Sequence, residues 1–297
     1  EVTFESAAAE WFATKGKNLS PRYRQEKWRR VEKYLLPHLG AIPFSRLRLL
    51  DLIRTHLLLR DTPELCRRVA QLTGQICRFA QVMQYVDSDI SAGLVEVLPD
   101  KPPIRHRAAI LEPAEFAALL KLIDGYRGYA VVRLALMIMA NVFCRSSELV
   151  GARWEELDFE KDLWTIPAER MKRRRKHLIP LSRQVRELFQ CLRSLDSETE
   201  YCFPSTLRKN CHITSEALLG ALLRMGYTRD EISVHGFRST ASTILNTMKF
   251  RPDAIELQLA HVERNSVRAA YNRSDLLEER RQMLQFWSDY LDELRSS

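Results

Sequence analysis

The chain has 297 residues, 45% of them hydrophobic and 28% charged. That mixture builds one or two globular domains with real cores, and it excludes a disordered, collagenous or low-complexity polypeptide. No stretch approaches ~18 uncharged apolar residues, so no membrane span is expected, and an opening that carries Glu1 and Glu5 lacks the basic and apolar regions of a signal peptide. A soluble, cytoplasmic protein is the expectation.

Lys plus Arg number 46 against 38 Asp plus Glu, a net charge of +8. The excess is uneven: residues 15–60 hold twelve Lys/Arg and three acids (Glu26, Glu32 and Asp51). A basic field concentrated in one segment reads as a polyanion-binding face, with an ordinary solvated helix surface as the bland alternative. The six cysteines (Cys66, Cys77, Cys144, Cys191, Cys202, Cys211) form no CxxC pair. They read as small buried thiols in a reducing compartment. Cys202, Cys211 and His212 lie close in sequence but lack an obvious fourth ligand, so no metal is expected.

In chain order, residues 3–15 predict a helix capped by Thr3, with Ala7, Ala8, Trp11 and Phe12 as its apolar stripe. Ser20 then caps a strongly basic second helix with Pro21 in its first position and Trp28, Val31 and Leu35 at helical spacing. This run stops at Pro37 and Gly40. A third helix is expected near 49–59. After Asp61-Thr62-Pro63 comes a long one carrying Leu65, Val69, Leu72, Ile76, Phe79 and Val82. Residues 1–98 thus read as an all-helical domain. Residues 99–109, with three prolines and four basic residues, read as an exposed basic linker.

A second domain, 110–297, opens with a helix over 112–124. Tyr129–Phe143 is almost continuously apolar and too short for a bilayer, hence a buried central helix. A short helix follows at 147–152. Residues 157–166 carry strand chemistry, with 176–181 as the partner strand across a charged segment. Helices are expected near 182–195, 214–225, 236–248, 252–260, 264–271 and 276–294. The fold class is therefore mainly α, an all-helical domain followed by an α+β domain with a small antiparallel sheet.

Several isolated basic residues stand at element edges in the second domain: Arg145, Lys172, His235, Arg238 and His261, followed by Tyr271. Guanidinium, ammonium and imidazole groups converging on one point make a phosphate clamp, since Arg offers bidentate geometry to two oxygens. A nearby tyrosine is a candidate nucleophile. The plainer alternatives are a surface salt bridge for Arg145, a simple helix start for His235 and Arg238, and core packing for His261. Tyr201, Tyr227 and Tyr290 are the competing tyrosines, and Tyr290 sits in an amphipathic helix where packing explains it.

The segment Cys144-Arg145-Ser146-Ser147-Glu148-Leu149 with the following ARWEELDFE resembles the first signature box of the tyrosine recombinases, the phage integrase family. His235-Gly236-Phe237-Arg238 resembles their HxxR box, and QLAHVERNSVRAAYNRS at 258–274 their final box. The resemblance covers 105–297 in order and spacing, and more loosely the domain before it. PAERMKRRRKHLIPLSRQ and AAYNRSDLLEERRQMLQFWSDYLD look most like the integrases of P4-like prophages and genomic islands.

The resemblance implies a site-specific recombinase that cleaves and rejoins duplex DNA through a 3′-phosphotyrosine, integrating or excising a mobile element. It implies Arg145 and Arg238 on the scissile phosphate, His235 beside it, His261 on a non-bridging oxygen, Tyr271 as nucleophile and Lys172 as general acid. Lys176 is the runner-up for that last role, because residues 172–176 are all basic. It implies no cofactor. Its partners would be a duplex attachment site, further protomers in a synaptic tetramer on DNA, a host DNA-bending protein and an excision factor. Arg22, Arg24, Lys27, Arg29, Arg30 and Lys33 of the basic helix would contact DNA, and Arg173, Arg174 and Arg175 would touch flanking phosphates.

The apolar stripe of the tail (Leu276, Leu277, Met283, Leu284, Trp287, Leu291, Leu294) is expected to dock onto a neighbouring protomer, with folding back in cis as the other placement. Two features depart from the family pattern. His261 and Tyr271 are ten residues apart, one more than the commonest spacing. P4-like integrases also carry a further arm-binding domain, whereas this sequence opens on the helical domain, as a trimmed chain or a recombinase of simple core sites would. A clamp that has lost catalysis is a competing reading, but no catalytic residue is missing. A type IB topoisomerase or telomere resolvase is another, opposed by the close motif match.

Overall fold

The structure is a computed structural model. It describes residues 1–100, 108–172, 174–195, 199–261 and 276–297, without the Arg22 side chain. Most of the linker, the helix expected at 264–271, Arg173 and Tyr271 lie outside the described residues.

The chain divides into two compact units, Glu1–Arg105 and His106–Ser297. The first is helical: α1 Phe4–Thr14, α2 Pro21–Tyr34, α3 Leu36–Leu39, α4 Leu49–Leu57 and α5 Pro63–Val82. Its starts follow local chemistry. Thr3 and Ser6 cap α1 reciprocally, and the Ser20 side chain accepts from Tyr23 N ahead of Pro21. Val31 of α2 and Leu35 at its C-cap are fully buried against a core that includes Phe4, Phe44, Leu52, Val69 and Ile76. The long stripe of α5 ends sooner than its sequence suggests, because Val82 is 78% exposed. Pro37 does not end the run but sits inside the short α3 turn.

The second unit contains α6 Pro113–Asp124, α7 Ala130–Val142, α8 Ser146–Val150, three strands, α9 Arg183–Ser194, α10 Ser215–Arg224, α11 Gly236–Thr247, α12 Pro252–Gln258 and α13 Leu277–Ser296. The strands β1 Leu157–Asp158, β2 Leu163–Ile166 and β3 His177–Pro180 form an antiparallel sheet in sequence order. Trp164 pairs with Ile179 and Ile166 with His177. The stretch 157–166 is thus a hairpin rather than one strand. The Asp158 carboxylate accepts from the backbone N–H groups of Glu160 and Lys161, and Asp162 adopts φ 48°, which together turn the chain.

α7 is the buried central helix. The tail helix α13 packs onto its own unit, against α6, α7, β3, α9 and α12, instead of standing free for a neighbour. The physical reason is Trp287. Its ring is fully buried among Phe116 and Phe143, and its indole N–H donates to Ala140 O at 2.9 Å. Burying a ring of that size while satisfying its one donor outweighs leaving the stripe in water. Cys66, Cys77, Cys144 and Cys202 are buried as expected, but Cys191 and Cys211 are exposed. No described helix is long and apolar enough to cross a membrane, and no described group of His, Cys, Asp and Glu could hold a metal ion.

Candidate active site

The site is organised by the end of a helix. α12 stops at Gln258, and the last carbonyls of a helix have no intrahelical partner. Three successive carbonyls are each met by a basic side chain from a different element. His177 Nε2 of β3 meets Gln258 O at 3.2 Å. Arg238 Nη2 of α11 donates to Leu259 O at 2.8 Å. Arg145 Nη2 donates to Ala260 O at 3.1 Å. A helix C-terminus carries partial negative charge, which favours cations there. His261 follows immediately, so Arg145, Arg238 and His261 are brought together, three of the residues selected by sequence.

Arg238 is only 3% exposed. It also donates to Phe143 O at 2.9 Å and lies 3.3 Å from His261 Nε2. A guanidinium cannot accept, so that imidazole nitrogen does. The Nδ1–H then donates to Glu256 at 2.7 Å. Among the described residues the hydrogen-bond acceptors of Arg238 are two backbone carbonyls and an imidazole nitrogen, while the Glu148 and Glu256 carboxylates act on it electrostatically. Burial pulls its pKa below the ordinary arginine value, and it remains a cation. Phe143, whose carbonyl accepts from Arg238, and Ala260, whose carbonyl accepts from Arg145, have φ of 37° and 50°. Left-handed backbone is uncommon for such residues and persists where surroundings over-determine it, often at functional sites.

Arg145 lies between the buried end of α7 and the start of α8. Glu148, 2% exposed, holds it twice: Oε1 accepts from Nη1 at 2.7 Å and Oε2 from the backbone N–H at 3.0 Å. The salt bridge weighed against a phosphate role therefore exists, but it orients the guanidinium from one side and leaves the side chain 24% exposed. His235 stands at the N-cap position of α11, half-buried, three residues before Arg238. Between them Gly236 is required by space: a Cβ there would meet Ala108 O at 2.5 Å.

Lys172 and Lys176 are both exposed, on the ten-residue connection between β2 and β3. Arg174 donates its N–H to Met171 O at 3.0 Å with φ 49°. Arg174 and Arg175 are exposed too, and Arg173 lies outside the described residues. The base of this turn is fixed by Arg170, which pairs with buried Glu156 and donates to Glu148 O. The turn thereby shares an anchor with Arg145.

On α2 the basic residues separate. Arg24, Arg29 and Lys33 are exposed. Lys27 turns inward, donating to Gln75 at 3.1 Å and lying 5.3 Å from the Trp11 and Tyr23 rings. Arg30 is paired with Glu26.

A profile of the phage integrase family matches residues 109–278, and one of the phage integrase central domain matches residues 4–96. The chain belongs to the phage integrase family. The integrase of Enterobacteria phage P4 is 36% identical, covering 98% of this chain and 69% of its own length. The Escherichia coli K12 prophage integrase IntA is 33% identical, covering 97% and 69%. Among solved structures, a lambda integrase dimer bound to a core site matches with TM-score 0.72 at 14% identity, over 88% of this chain and 96% of that one. The Tn1549 transposon integrase with circular intermediate DNA matches at TM-score 0.68 and 17% identity, over 92% and 100%. Membership makes this integrase a site-specific DNA strand-transfer enzyme of the tyrosine-recombinase kind, acting on duplex DNA.

Sequence reasoning missed His177, Gln258, Arg280, Arg170 and Glu156. His177 is 7% exposed, and burial with the neighbouring Arg280 drives its pKa down to about 3. The sequence places His177 in the strand expected at 176–181 but assigns it no role in the site. The period-two spacing of β3, which also buries Ile179, was the available signal.

Proposed function

We propose that this integrase cleaves one DNA strand by attack of Tyr271 Oη on the scissile phosphorus. The 5′ oxygen leaves with a proton from Lys172, and the strand stays attached as a 3′-phosphotyrosine. A 5′ hydroxyl of another strand then reverses the attack. Arg145 and Arg238 bind the non-bridging oxygens, joined by His261, and His235 aids proton transfer beside them. Charge on the equatorial oxygens grows towards the transition state, so preorganised donors there lower the barrier. The observation that carries this reading is the seating of Arg238 and Arg145 on consecutive carbonyls directly before His261, with no carboxylate among the described hydrogen-bond partners of Arg238. A phosphate would add charge-assisted bonds to two guanidiniums that Glu148 and Glu256 already face. His261 Nε2 faces Arg238, so donating to phosphate requires a proton on that nitrogen.

The first unit, as the core-type DNA-binding domain, would contact phosphates with Arg24, Arg29 and Lys33 foremost. Arg22, Lys27 and Arg30 join this proposal from their place on the same helix, and Arg173, Arg174 and Arg175 from the β2–β3 turn. The basic linker joins the two domains. Solved relatives are dimers and a Holliday-junction tetramer on DNA. By that likeness we assign a synaptic tetramer, and from family membership we propose integration or excision of a mobile element, a host DNA-bending protein and an excision factor as partners, and a bacterial cytoplasmic setting.

The test is a suicide duplex nicked beside a candidate attachment-site cleavage position, resolved under denaturing conditions. Wild-type protein should give a covalent adduct and Tyr271→Phe none. An adduct that persists in Tyr271→Phe puts the nucleophile elsewhere, and DNA bound by the wild type without any adduct removes the assigned chemistry.

A further inference from the structure

Arg280 stands on the first turns of the tail helix, nine residues after Tyr271 in the sequence. It is 6% exposed. Its Nη2 donates to Leu178 O of β3 at 2.5 Å and to Gln258 Oε1 of α12 at 2.6 Å. No carboxylate is among these partners, and Nε has no described partner. Gln258, fully buried, passes the connection on: its Nε2 donates to Val142 O at 2.9 Å, at the end of α7. The next carbonyl, Phe143 O, holds Arg238. One guanidinium thus ties α13 to β3 and to the end of α12, and through one amide to α7.

Burying a cation among neutral acceptors opposes stability, and an apolar side chain of similar volume would fill the space at lower cost. Desolvation lowers the Arg280 pKa to about 10, so it is still charged at neutral pH. The charge also lies beside the site, since Arg280, Arg145 and Arg238 all act electrostatically on His177. Packing alone does not account for such a residue.

We propose that Arg280 is a positioning residue for strand cleavage. It locks the C-terminus of α12 against β3, so that the 259 and 260 carbonyls present Arg238 and Arg145 to the phosphate in register with the β2–β3 turn that bears Lys172. This rests on the phosphate-site reading above. The tail helix then belongs to the catalytic apparatus as well as to the core.

The experiment compares the wild type with Arg280→Met and Arg280→Lys in single-turnover cleavage of the suicide duplex at saturating protein, alongside duplex affinity and hydrogen exchange. Misplacing reacting groups by about 1 Å costs on the order of 10²-fold. Arg280→Met should cleave ~10²-fold more slowly and bind DNA within about threefold of wild type. Arg280→Lys keeps the charge on a shorter side chain without the planar fork that sets the Nη2 contacts, so an intermediate loss of ~10-fold is expected. Exchange in Arg280→Met should rise together in 177–181 and 257–261 and stay unchanged in α6 and α7. Cleavage within twofold of wild type overturns the proposal. So does a fall in affinity that parallels the fall in cleavage, or exchange that rises across the whole unit. If wild-type protein gives no Tyr271-dependent adduct, the reaction reading falls instead, and the exchange pattern still decides whether the brace exists.

Discussion

His177 makes a sharp prediction about acid stability. Its imidazole is buried and uncharged, with a pKa near 3 in the fold against an ordinary value of about 6.5 in the unfolded chain. Between those values the unfolded state binds the extra proton, so stability is full above about pH 6.5 and falls as the pH drops towards 3. The size follows from the unfolded value alone while the folded group stays neutral. At pH 5 protonation favours the unfolded chain by about 2 kcal/mol, and at pH 7.5 by less than ~0.1 kcal/mol. His177→Gln keeps an N–H that can reach Gln258 O but does not titrate. Urea unfolding of wild type and His177→Gln at pH 7.5, 6 and 5 should therefore diverge, with the wild type losing about 2 kcal/mol more than the variant over that range. His56, also buried and depressed in the first unit, contributes equally to both proteins and cancels in the difference. Parallel pH profiles for the two proteins would refute the argument and place a charged imidazole inside the fold.

Further outcomes concern packing, backbone space and the DNA-facing helix. Gly236→Ala forces a Cβ within 2.5 Å of Ala108 O. It should destabilise by ~1–3 kcal/mol and slow cleavage, read by urea unfolding and by adduct formation. Trp287→Ala empties a fully buried site and orphans Ala140 O. A loss of ~3–5 kcal/mol is expected, and a change under 1 kcal/mol would show that the tail does not hold the core in cis. On α2, exposed Arg29 differs from Arg30, which is already paired with Glu26. Arg29→Ala should lower the slope of log affinity against log salt by about 1, and Arg30→Ala by less. Equal slopes for the two variants would mean that the Glu26 pair opens on DNA.

The parts legible in the sequence are those written locally. Ser20-Pro21 announces α2 because a hydroxyl and a ring with fixed φ act within one turn. The apolar run of α7 identifies its own burial. The hairpin at 157–166 was half legible, since its strand residues were plain but the Asp158 turn needs two backbone donors that composition does not display. Among site residues, Arg145, Arg238 and His261 carried a family signature, whereas Gln258 and Arg280 act through carbonyls of residues far along the chain. Lys27 and Arg30 looked like their neighbours on the basic helix. Only the structure shows Gln75 and Glu26 claiming them. The tail stripe was visible as apolar, but a stripe does not name its partner. That partner is the ring cluster around Phe116 and Phe143.

The run of three carbonyls at the end of α12 has a consequence for how this enzyme tolerates sequence change. Main-chain oxygens are the same in every residue, so the contacts made at 259 and 260 depend on side chains only through the buried packing of Leu259 and the left-handed backbone of Ala260. Their weakness is chain length. Removing one residue between Leu257 and His261 would hand each basic group the wrong carbonyl and turn His261 off the arginine it faces. Apolar substitutions at Leu259, and Gly or Asn at Ala260, should therefore retain activity, while single deletions in the three-residue window 258–260 should abolish it.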